Sequence, residues 1–468
     1  MNSSIFREYD IRGLHPQDLT PDTVRRIAMA FGSVLKERGL KRISVGGDVR
    51  LHTNEIKAGF IAGVNATGID VIDIGIITSP LCYFSAFHLD IDGFAMITAS
   101  HNPKEYNGLK LGIGKTTIFG ADIVDIKERA ARLVLGSHGE AVGAGAVASG
   151  AGKVESRDIT EDYIKYLESK FKLSKRIKLV LDPANATGAL FAKKVYERIG
   201  AEVIAINDTV DGRFPNHHPD PTIWENVVEL SEKVKATGAA IGIGLDGDSD
   251  RIGVIDEKGA LIPGDLLTLI YAKDILEKDK GAKIIYEVKS SMALEQEITK
   301  AGGRPIMWKV GHSLLKKKMS EEKAPLAGEV SGHIFFADRY FGYDDAIYAG
   351  CRILEILDKT GKATSALLEG VPKYFNTPEI RCECKDDEEK FRIAQKAIEY
   401  YSKTAKVIDI DGVRILFTDG WGLVRASNTQ PSLVTRFEGT TQKRCDEIRE
   451  SILGKLQEFG EIKIGSSH

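Results

Sequence analysis

The chain alternates between strand-like and helix-like segments from its first residues to about residue 370. Apolar runs at 43–48, 70–75 and 93–97 are typical of strands, and helical stretches that end at glycine lie between them. Strands separated by helices predict a mainly parallel sheet with helices on both faces. In such sheets, ligand-binding loops follow the carboxyl ends of strands. The sequence therefore predicts an α/β fold whose functional residues lie in polar loops after strands.

Length and composition indicate several domains. The chain has 468 residues, and domains commonly hold about 100–200 residues each. Residues 136–153 are mostly Gly, Ala and Ser, which predicts a flexible connector. We predict three similar α/β domains with mixed sheets and a smaller C-terminal α+β domain. The expected boundaries are 1–153, 154–256, 257–370 and 371–468.

The net charge and the cysteine content indicate which partners and which cellular compartment to expect. The net charge is −3, so nothing favours nucleic acid or an anionic membrane as a partner. No run reaches the ~18 apolar residues of a membrane span. The five cysteines are odd in number and have no CxxC spacing, which predicts free thiols in a reducing compartment. We therefore expect a cytoplasmic protein that acts on small molecules.

A serine beside a histidine forms the first loop of chemical interest. The loop Thr98–Pro103 has the sequence TASHNP and follows the apolar run at 93–97. Ser100 lies where a parallel sheet presents its functional loops, and a hydroxyl next to His101 is a candidate nucleophile. The same six residues could also form an ordinary turn, so the interpretation depends on the other loops.

Three aspartates alternate in the loop after a later apolar run. Asp246, Asp248 and Asp250 repel one another unless a cation is bound, and oxygen ligands of this kind suit Mg²⁺. A calcium-binding EF-hand loop also begins with this spacing, but Arg251 replaces the glycine that it needs and the flanks resemble strands. An aspartyl-phosphate hydrolase with Asp246 as the nucleophile is a third interpretation.

Two further loops combine groups that could bind a sugar phosphate. In residues 328–333, Glu329 and Ser331 can bond hydroxyl groups, and His333 can move a proton near neutral pH. In residues 425–429, a guanidinium, two hydroxyls and an amide can surround a phosphate. Each loop taken alone could equally be a plain connection.

Five segments taken together resemble one family. They are Tyr9–Gly13, Thr98–Pro103, Asp246–Arg251, Gly328–His333 and Arg425–Thr429. In this order and at these spacings the chain is similar to the α-D-phosphohexomutases, in the phosphomannomutase/phosphoglucomutase branch. The resemblance implies four domains around a central active-site cleft, with one functional loop from each.

The resemblance also implies the catalytic and metal-binding residues. Ser100 is expected to carry the transferable phosphoryl group as phosphoserine and to complete a Mg²⁺ site with the three aspartates. His101 and Lys110 are expected to flank the phosphoryl group. Proton transfer or charge stabilisation would fall to Arg12, Lys110 and His333. The implied metal ligands are Ser100, Asp246, Asp248 and Asp250.

The implied substrate-binding residues come from all the matched segments. Some line the cleft near the serine, some contact or orient the sugar, and the last four hold the phosphate that does not react. They are Tyr9, Arg251, Lys289, Lys309, His312, Glu329, Ser331, His333, Arg425, Ser427, Asn428 and Thr429.

The expected activity is the interconversion of hexose 1-phosphate and hexose 6-phosphate. The resemblance implies Mg²⁺ as cofactor and glucose 1,6-bisphosphate or mannose 1,6-bisphosphate as intermediate and activator. Val330, at a variable position, favours mannose and glucose phosphates, and a phosphoglucosamine mutase is the alternative. We expect phosphosugars as the partners and a monomer or a small homo-oligomer as the assembly.

Overall fold

The structure is a computed structural model that describes residues 1–135, 141–142, 151–427 and 430–465. Most of the predicted connector at 136–153 lies outside these residues. The chain divides into two compact units. Unit 1 comprises Met1–Gly264, Ser331–Phe336 and Tyr343–Leu367, and unit 2 comprises Asp265–Val330, Ala337–Gly342 and Leu368–His468.

The N-terminal part of unit 1 is built on one mixed sheet with helices packed against it. Its strands are β1 (Ile11–Leu14), β2 (Arg42–Gly47), β3 (Asp70–Ile76), β4 (Gly93–Ile97), β5 (Tyr106–Ile113), β6 (Thr116–Thr117), β7 (Val134–Leu135), β8 (Ala141–Val142) and β9 (Val154–Ser156). Its helices are α1 (Pro21–Glu37), α2 (Thr53–Asn65), α3 (Ser79–His88) and α4 (Ala121–Arg132), after a 3₁₀ turn at Ser3–Ile5. The strand order is β1-β5-β4-β2-β3-β9, with β6 beside β5 and β7 paired with β8.

Helix α1 shows how the sequence forms these elements. Thr20 caps the helix by accepting a hydrogen bond from the Thr23 amide, and Pro21 occupies the first helical position. Val24, Ile27 and Phe31 recur at helical spacing and are buried in the sheet core. Burying each such side chain contributes about 1.5–3 kcal/mol.

The rest of unit 1 is built on a second mixed sheet. Its elements are α5 (Thr160–Lys170), β10 (Lys178–Asp182), α6 (Ala192–Ile199), β11 (Glu202–Ala205), α7 (Trp224–Thr237), β12 (Ile241–Leu245), β13 (Ile252–Asp256) and β14 (Leu261–Ile262), with a 3₁₀ turn at Thr187–Leu190. The strand order is β11-β10-β12-β13-β14.

Unit 2 contains a parallel sheet followed by an antiparallel one. The first part comprises α8 (Gly264–Lys278), β15 (Lys283–Glu287), α9 (Met292–Lys300), β16 (Arg304–Trp308), α10 (His312–Glu322) and β17 (Leu326–Gly328). Strand β15 pairs in parallel with both β16 and β17. Returning to unit 1, the chain forms β18 (Ile334–Phe336), α11 (Ala346–Thr360) and a 3₁₀ turn at Thr364–Leu368.

The C-terminal part of unit 2 is the α+β domain that the sequence predicts. Its elements are β19 (Phe375–Asn376), β20 (Ile380–Glu383), α12 (Asp387–Thr404), β21 (Lys406–Ile408), β22 (Val413–Phe417), β23 (Gly420–Ala426), β24 (Ser432–Gly439), α13 (Gln442–Phe459) and β25 (Lys463–Ile464). The strand order is β21-β22-β23-β24-β20-β25, with β19 beside β24.

The α/β prediction with mixed sheets and four sheet-containing domains is confirmed. Strands β4 and β5 pair antiparallel, as do β12 and β13, because the loops at 98–105 and 246–251 are too short for a parallel crossover. The numerical domain boundaries stay a prediction. All five cysteines are free and buried. Across the described part of the chain, no helix is both long and apolar enough to cross a membrane.

Candidate active site

Ser100 occupies a strained position in a buried loop. Residues 98–103, here called the serine loop, follow β4 directly. Ser100 has φ 52°, in the left-handed region that costs a residue with a side chain about 1–2 kcal/mol. Its amide donates to Thr98 Oγ1 at 2.8 Å, which stabilises the turn. The serine loop is therefore held in one conformation that presents the hydroxyl.

The Ser100 hydroxyl contacts a carboxylate and an imidazole. Ser100 Oγ donates to Asp246 Oδ2 at 2.8 Å and lies 3.1 Å from His101 Nδ1. Burial, together with the charges of Arg251 and Arg12, lowers the pKa of His101 well below its ordinary value. His101 is therefore neutral, and it can share a hydrogen bond with the hydroxyl without adding charge.

The three aspartates converge in the aspartate loop, residues 246–251. One oxygen from each of Asp246, Asp248 and Asp250 lies within 4.8 Å of the others, and all three residues are fully buried. Gly247 permits close approach to the serine loop, because a Cβ there would lie 2.2 Å from the Ser100 carbonyl oxygen. Asp246 Oδ1 accepts from the amides of Asp250 and Arg251 at 3.0 and 3.1 Å.

Lys110 is the positive charge that faces this cluster. Its Nζ donates to Asp248 Oδ2 at 2.7 Å and to Asp250 Oδ2 at 2.5 Å. Burial opposes its charge, but the two carboxylates outweigh burial and raise the pKa of Lys110 well above its ordinary value. Burial and the neighbouring carboxylates raise the pKa of Asp246 well above its ordinary value. Lys110 thus stays protonated against two of the three aspartates.

The aspartate cluster fits a hard divalent cation. Among the described residues, Asp248 Oδ1 and Asp250 Oδ1 are buried and accept no hydrogen bond. Buried carboxylate oxygens without a donor are costly. Carboxylate and hydroxyl oxygens are the ligands that Mg²⁺ prefers. The donor set of Ser100 and the three aspartates therefore fits the magnesium site expected from the sequence.

Arg12 lies against the serine loop. Its Nε donates to Asp10 Oδ2 at 2.7 Å, and its Nη1 donates to Asn102 Oδ1 at 2.8 Å and to Ala99 O at 3.4 Å. Tyr9 is half-buried next to Asp10. The structure thus places the N-terminal segment beside the serine, where the sequence interpretation expected it.

Arg251, His333 and Asp344 form a connected chain beside the aspartate loop. Arg251 Nε donates to His333 Nε2 at 3.0 Å, so Nε2 carries no proton. His333 Nδ1 lies 2.9 Å from Asp344 Oδ2 and 3.6 Å from Asp250 Oδ1. Asp344 therefore orients the imidazole from Nδ1, while Arg251 donates to Nε2. Ser331 belongs to the same segment of unit 1 and is half-buried.

In unit 2, Lys289 lies between two carboxylates. Lys289 Nζ is 3.4 Å from Glu379 Oε2 and 3.9 Å from Glu287 Oε1. Glu287 also accepts from the Lys289 amide at 2.7 Å and from the Val330 amide at 3.2 Å. The fully buried Glu287 thus connects Lys289 to the segment that carries Glu329.

Glu329 ties its own loop to the N-terminus of α10. Glu329 Oε1 accepts from the Gly311 amide at 2.8 Å, and His312 follows as the first residue of the helix. Glu329 and His312 are both buried, whereas Lys309 is exposed. Of this predicted sugar-binding set, the structure brings Glu329 and His312 together and leaves Lys309 at the surface.

Arg425 is the penultimate residue of β23 and is paired with a carboxylate. Arg425 Nε donates to Asp411 Oδ2 at 3.1 Å, and the same oxygen accepts from the Val310 amide at 3.0 Å. Ser427 is buried, and its Oγ accepts from the Gln430 amide at 3.2 Å. The other two predicted phosphate-binding residues, Asn428 and Thr429, lie outside the described residues.

Sequence interpretation missed several polar residues that hold these loops. They are Asp48, Arg50, Asp344, Glu379 and Asp411. Asp48 and Arg50 follow β2 directly, so the rule about carboxyl ends of strands could have identified them. Asp344 and Asp411 carry no such signal, because their partners are distant in sequence.

The aspartate loop is flanked by strands β12 and β13, which excludes the helix–loop–helix of an EF-hand. A buried serine in hydrogen-bond contact with clustered carboxylates, next to a lysine and an arginine, is typical of metal-assisted phosphoryl transfer. The site thus indicates the class of phosphotransfer enzymes.

Comparison with protein families narrows that class. Four domain models of phosphoglucomutase/phosphomannomutase match in order: alpha/beta/alpha domain I over residues 3–132, domain II over 161–259, domain III over 263–375 and the C-terminal domain over 379–455. The chain belongs to the phosphoglucomutase/phosphomannomutase family. It is therefore a mutase, an isomerase that transfers a phosphoryl group within its substrate.

Individual relatives agree over nearly the whole length. The phosphomannomutase/phosphoglucomutase of Pseudomonas aeruginosa is 40% identical over 460 residues, which is 97% of this chain and 96% of that protein. A phosphoglucomutase of Neisseria gonorrhoeae is 38% identical over 95% of each chain. A crystal structure of a phosphoglucomutase/phosphomannomutase family protein from Burkholderia thailandensis has a TM-score of 0.90 at 35% identity and covers 99% of both chains.

Proposed function

We propose that this mutase interconverts the 1-phosphates and 6-phosphates of mannose and glucose through a phosphoserine at Ser100. The observation that carries the proposal is the buried Ser100 hydroxyl, which donates to Asp246 at 2.8 Å within the carboxylate cluster. A phosphoryl carrier has to be shielded from water, because hydrolysis would discharge it, and Ser100 is 1% exposed.

The reaction consists of two phosphoryl transfers. Phosphorylated Ser100 gives its phosphoryl group to the free 6-hydroxyl of a hexose 1-phosphate. The P–Oγ bond breaks, a P–O6 bond forms, the 6-hydroxyl proton passes to a base, and Ser100 Oγ takes up a proton. The product, glucose 1,6-bisphosphate or mannose 1,6-bisphosphate, turns round and returns its other phosphoryl group to Ser100: the P–O1 bond breaks, a P–Oγ bond forms, the serine proton is removed and O1 is protonated. Hexose 6-phosphate leaves, and the enzyme is phosphorylated again.

The aspartate loop supplies the charge environment for these transfers. Bound Mg²⁺ would offset negative charge on the transferring group, held by Ser100, Asp246, Asp248 and Asp250. Lys110 stays protonated beside two of these aspartates, which supports a charge-stabilising role rather than proton transfer. Arg12, with its Nη1 on Asn102 of the serine loop, adds a second cation.

His333 is the group best suited to take the proton from the sugar hydroxyl. Its Nδ1 faces Asp344, and its Nε2 accepts from Arg251, so the unprotonated nitrogen is available when Arg251 turns to the substrate. An imidazole held by a carboxylate at one nitrogen can act as a general base at the other. His101 stays neutral and orients the serine hydroxyl.

The loops of unit 2 hold the sugar and its non-reacting phosphate. Glu329 and Lys289 carry the polar groups for hydroxyl recognition, and Arg425 and Ser427 carry those for the phosphate. Support comes from Arg425, whose Nε donates to Asp411 and whose two terminal nitrogens form the planar fork that suits a phosphate. Ser331, Tyr9 and Arg251 complete the proposed substrate contacts.

The proposed reaction also indicates the partners, the assembly and the compartment of the enzyme. The partners are small phosphosugars, and the enzyme acts as a monomer or a small homo-oligomer in the cytoplasm. The five thiols, all unpaired, support a reducing compartment.

A coupled assay tests the proposal. Mannose 1-phosphate, glucose 1-phosphate and glucosamine 1-phosphate are each supplied with Mg²⁺ and glucose 1,6-bisphosphate, and formation of the 6-phosphate is followed. We expect turnover of the mannose and glucose substrates with similar kcat/KM. Turnover of glucosamine 1-phosphate alone would contradict the proposed substrate range, and phosphate release without isomerisation would contradict the mutase cycle.

A further inference from the structure

Arg50 is a buried arginine that the proposed reaction does not use. It lies just after β2, and its side chain is 0% exposed. Burying a guanidinium is costly unless every N–H finds a partner. The hydrogen-bond partners of Arg50 therefore indicate its structural role.

The Arg50 guanidinium donates hydrogen bonds to backbone carbonyl oxygens in and just after the serine loop. Nη2 donates to the carbonyl oxygens of Ser100 at 2.7 Å and Asn102 at 2.6 Å. Nη1 donates to those of Pro103 at 2.7 Å and Tyr106 at 3.1 Å. The four N–H groups of the two terminal nitrogens thus match four carbonyl oxygens between residues 100 and 106.

The rest of the side chain is held from two further directions. Asp48 Oδ2 lies 3.2 Å from Arg50 Nε, and Thr53 donates to the other oxygen of Asp48 at 2.7 Å. The ring of Phe214 covers the guanidinium with its centroid 5.1 Å from Cζ. All four N–H groups of the terminal nitrogens have an acceptor in the backbone, so none of these four is left for a phosphate oxygen.

We propose that Arg50 is the positioning residue of the phosphoryl carrier, fixing the Ser100 backbone in its left-handed conformation by chelating the carbonyl oxygens of the serine loop. Ser100 has φ 52°, a conformation that its own preferences disfavour. The Arg50 hydrogen bond to the Ser100 carbonyl fixes that peptide, and Gly247 closes against the same oxygen from the aspartate loop. The inference rests on the proposed role of Ser100.

A lysine cannot replace this arrangement. Its ammonium donates from one atom, whereas the carbonyl oxygens of residues 100, 102, 103 and 106 require a planar fork with two separate nitrogens. Loss of the fork lets the serine loop relax towards ordinary backbone angles and moves Oγ away from Asp246. Because a misplacement of about 1 Å costs roughly a hundredfold in rate, Arg50→Lys should slow the chemical step by about 10–100-fold.

Single-turnover transfer measures this step directly. The full-length enzyme is phosphorylated with radiolabelled glucose 1,6-bisphosphate, and the rate constant for transfer of label to glucose 1-phosphate is followed. This rate constant does not depend on the fraction of folded enzyme. We expect it to fall about 10–100-fold in Arg50→Lys, with KM changed by less than about threefold. The control is Arg352→Lys, a buried arginine on α11 that should keep the wild-type rate constant.

Three outcomes would overturn the inference. A wild-type rate constant in Arg50→Lys, or a raised KM at an unchanged rate constant, would show that Arg50 does not position the loop. If Arg50→Lys fails to fold, Asp48→Asn decides, since it should lower the rate constant by about 2–10-fold through a loosened guanidinium. No change there would also contradict the inference. If the Ser100→Ala enzyme also became labelled, the phosphoserine proposal would be contradicted. The observed contacts of Arg50 with the serine loop would not be affected by that result.

Discussion

The serine and aspartate loops of unit 1 differ from the loops around Lys289 and Arg425 in unit 2 in how their charged groups are paired. In unit 1, three fully buried aspartates face a single lysine, and two of their oxygens accept no hydrogen bond from the described residues. In unit 2, Lys289 and Arg425 each have a carboxylate partner that is partly exposed, with Glu379 at 30% and Asp411 at 18%. Buried carboxylate oxygens are thus left without a donor in unit 1, whereas these two cations of unit 2 already have carboxylate partners.

This difference indicates two kinds of site. Buried carboxylate oxygens that lack a donor are stabilised by a cation that stays in place, which suits a centre where the same transfer happens in every cycle. Cations already paired with carboxylates can exchange a partner for a phosphate at small cost, which suits a substrate that must bind, turn and leave. Changes made separately in the two units test this contrast.

The largest effect is expected from removing the carrier. Ser100→Ala should abolish net mutase turnover, because no acceptor remains for the phosphoryl group. The measurement is the coupled assay with glucose 1-phosphate and glucose 1,6-bisphosphate present. Full activity in this variant would contradict the assignment.

Mass spectrometry of peptides from the enzyme shows which residue carries the phosphate. Peptides of the purified wild-type enzyme should carry phosphate on Ser100. Phosphate on Asp246 would favour the aspartyl-phosphate mechanism over the serine carrier.

Removing Mg²⁺ should have the next largest effect on activity. This effect should come from the aspartate loop of unit 1 and not from the loops of unit 2. EDTA should reduce kcat by at least about a hundredfold, and added Mg²⁺ should restore it, because the carboxylate cluster then lacks its counter-charge. Asp248→Asn should raise the Mg²⁺ concentration for half-maximal activity by about tenfold or more. An EDTA-insensitive rate would contradict the metal role of the aspartate loop.

In unit 2, Arg425→Ala should affect binding more than chemistry. Loss of a charge-assisted contact to a phosphate, worth about 1.5–3 kcal/mol, should raise KM by roughly 10–100-fold and leave kcat within about threefold. Steady-state kinetics with glucose 1-phosphate separate the two parameters.

Arg392→Ala is the matched control, since Arg392 also lies in unit 2 and pairs with a glutamate, but on the exposed face of α12. Its KM should equal that of the wild type. If Arg425→Ala lowered kcat instead and left KM unchanged, the distinction between a transfer centre and a binding clamp would fail.

The smallest effect is expected at an ion pair of unit 1 outside the reactive loops. Burial opposes a positive charge on His217, but the hydrogen bond to Asp182 at 3.0 Å, the charge of that carboxylate and the His218 carbonyl together outweigh burial and raise the pKa of His217. Its contribution to stability is therefore full below its unfolded pKa, roughly 6.5, and is lost as pH rises through the higher folded value.

Denaturation of His217→Gln as a function of pH tests this sign. The deficit in free energy of unfolding relative to the wild type should be larger near pH ~6 than near pH ~8.5, while kcat and KM stay unchanged. A deficit that grew with pH would contradict the assignment of His217 as a charged partner of Asp182.

Much of the fold could be predicted because local patterns encode it. Apolar runs and glycine stops indicated the strands and helices, and polar loops after strands indicated Ser100 and the three aspartates. Lys110 was expected to flank the phosphoryl group, but its direct partners are Asp248 and Asp250, across 138 and 140 residues of sequence. No local pattern encodes such a pairing, because it depends on how two sheets pack.

The sequence by itself determined the α/β class, the free thiols and the loops that place the chain in its family. Residue type and spacing suffice there, because strand–helix alternation and clustered carboxylates have few physical solutions. Only the tertiary structure showed which groups contact each other. Asp344 contacts His333, Asp411 accepts a hydrogen bond from Arg425, and Arg50 donates to the serine loop. The reason is that these bonds join side chains to groups distant in the chain, and in the case of Arg50 the acceptors are backbone carbonyls, which every residue carries.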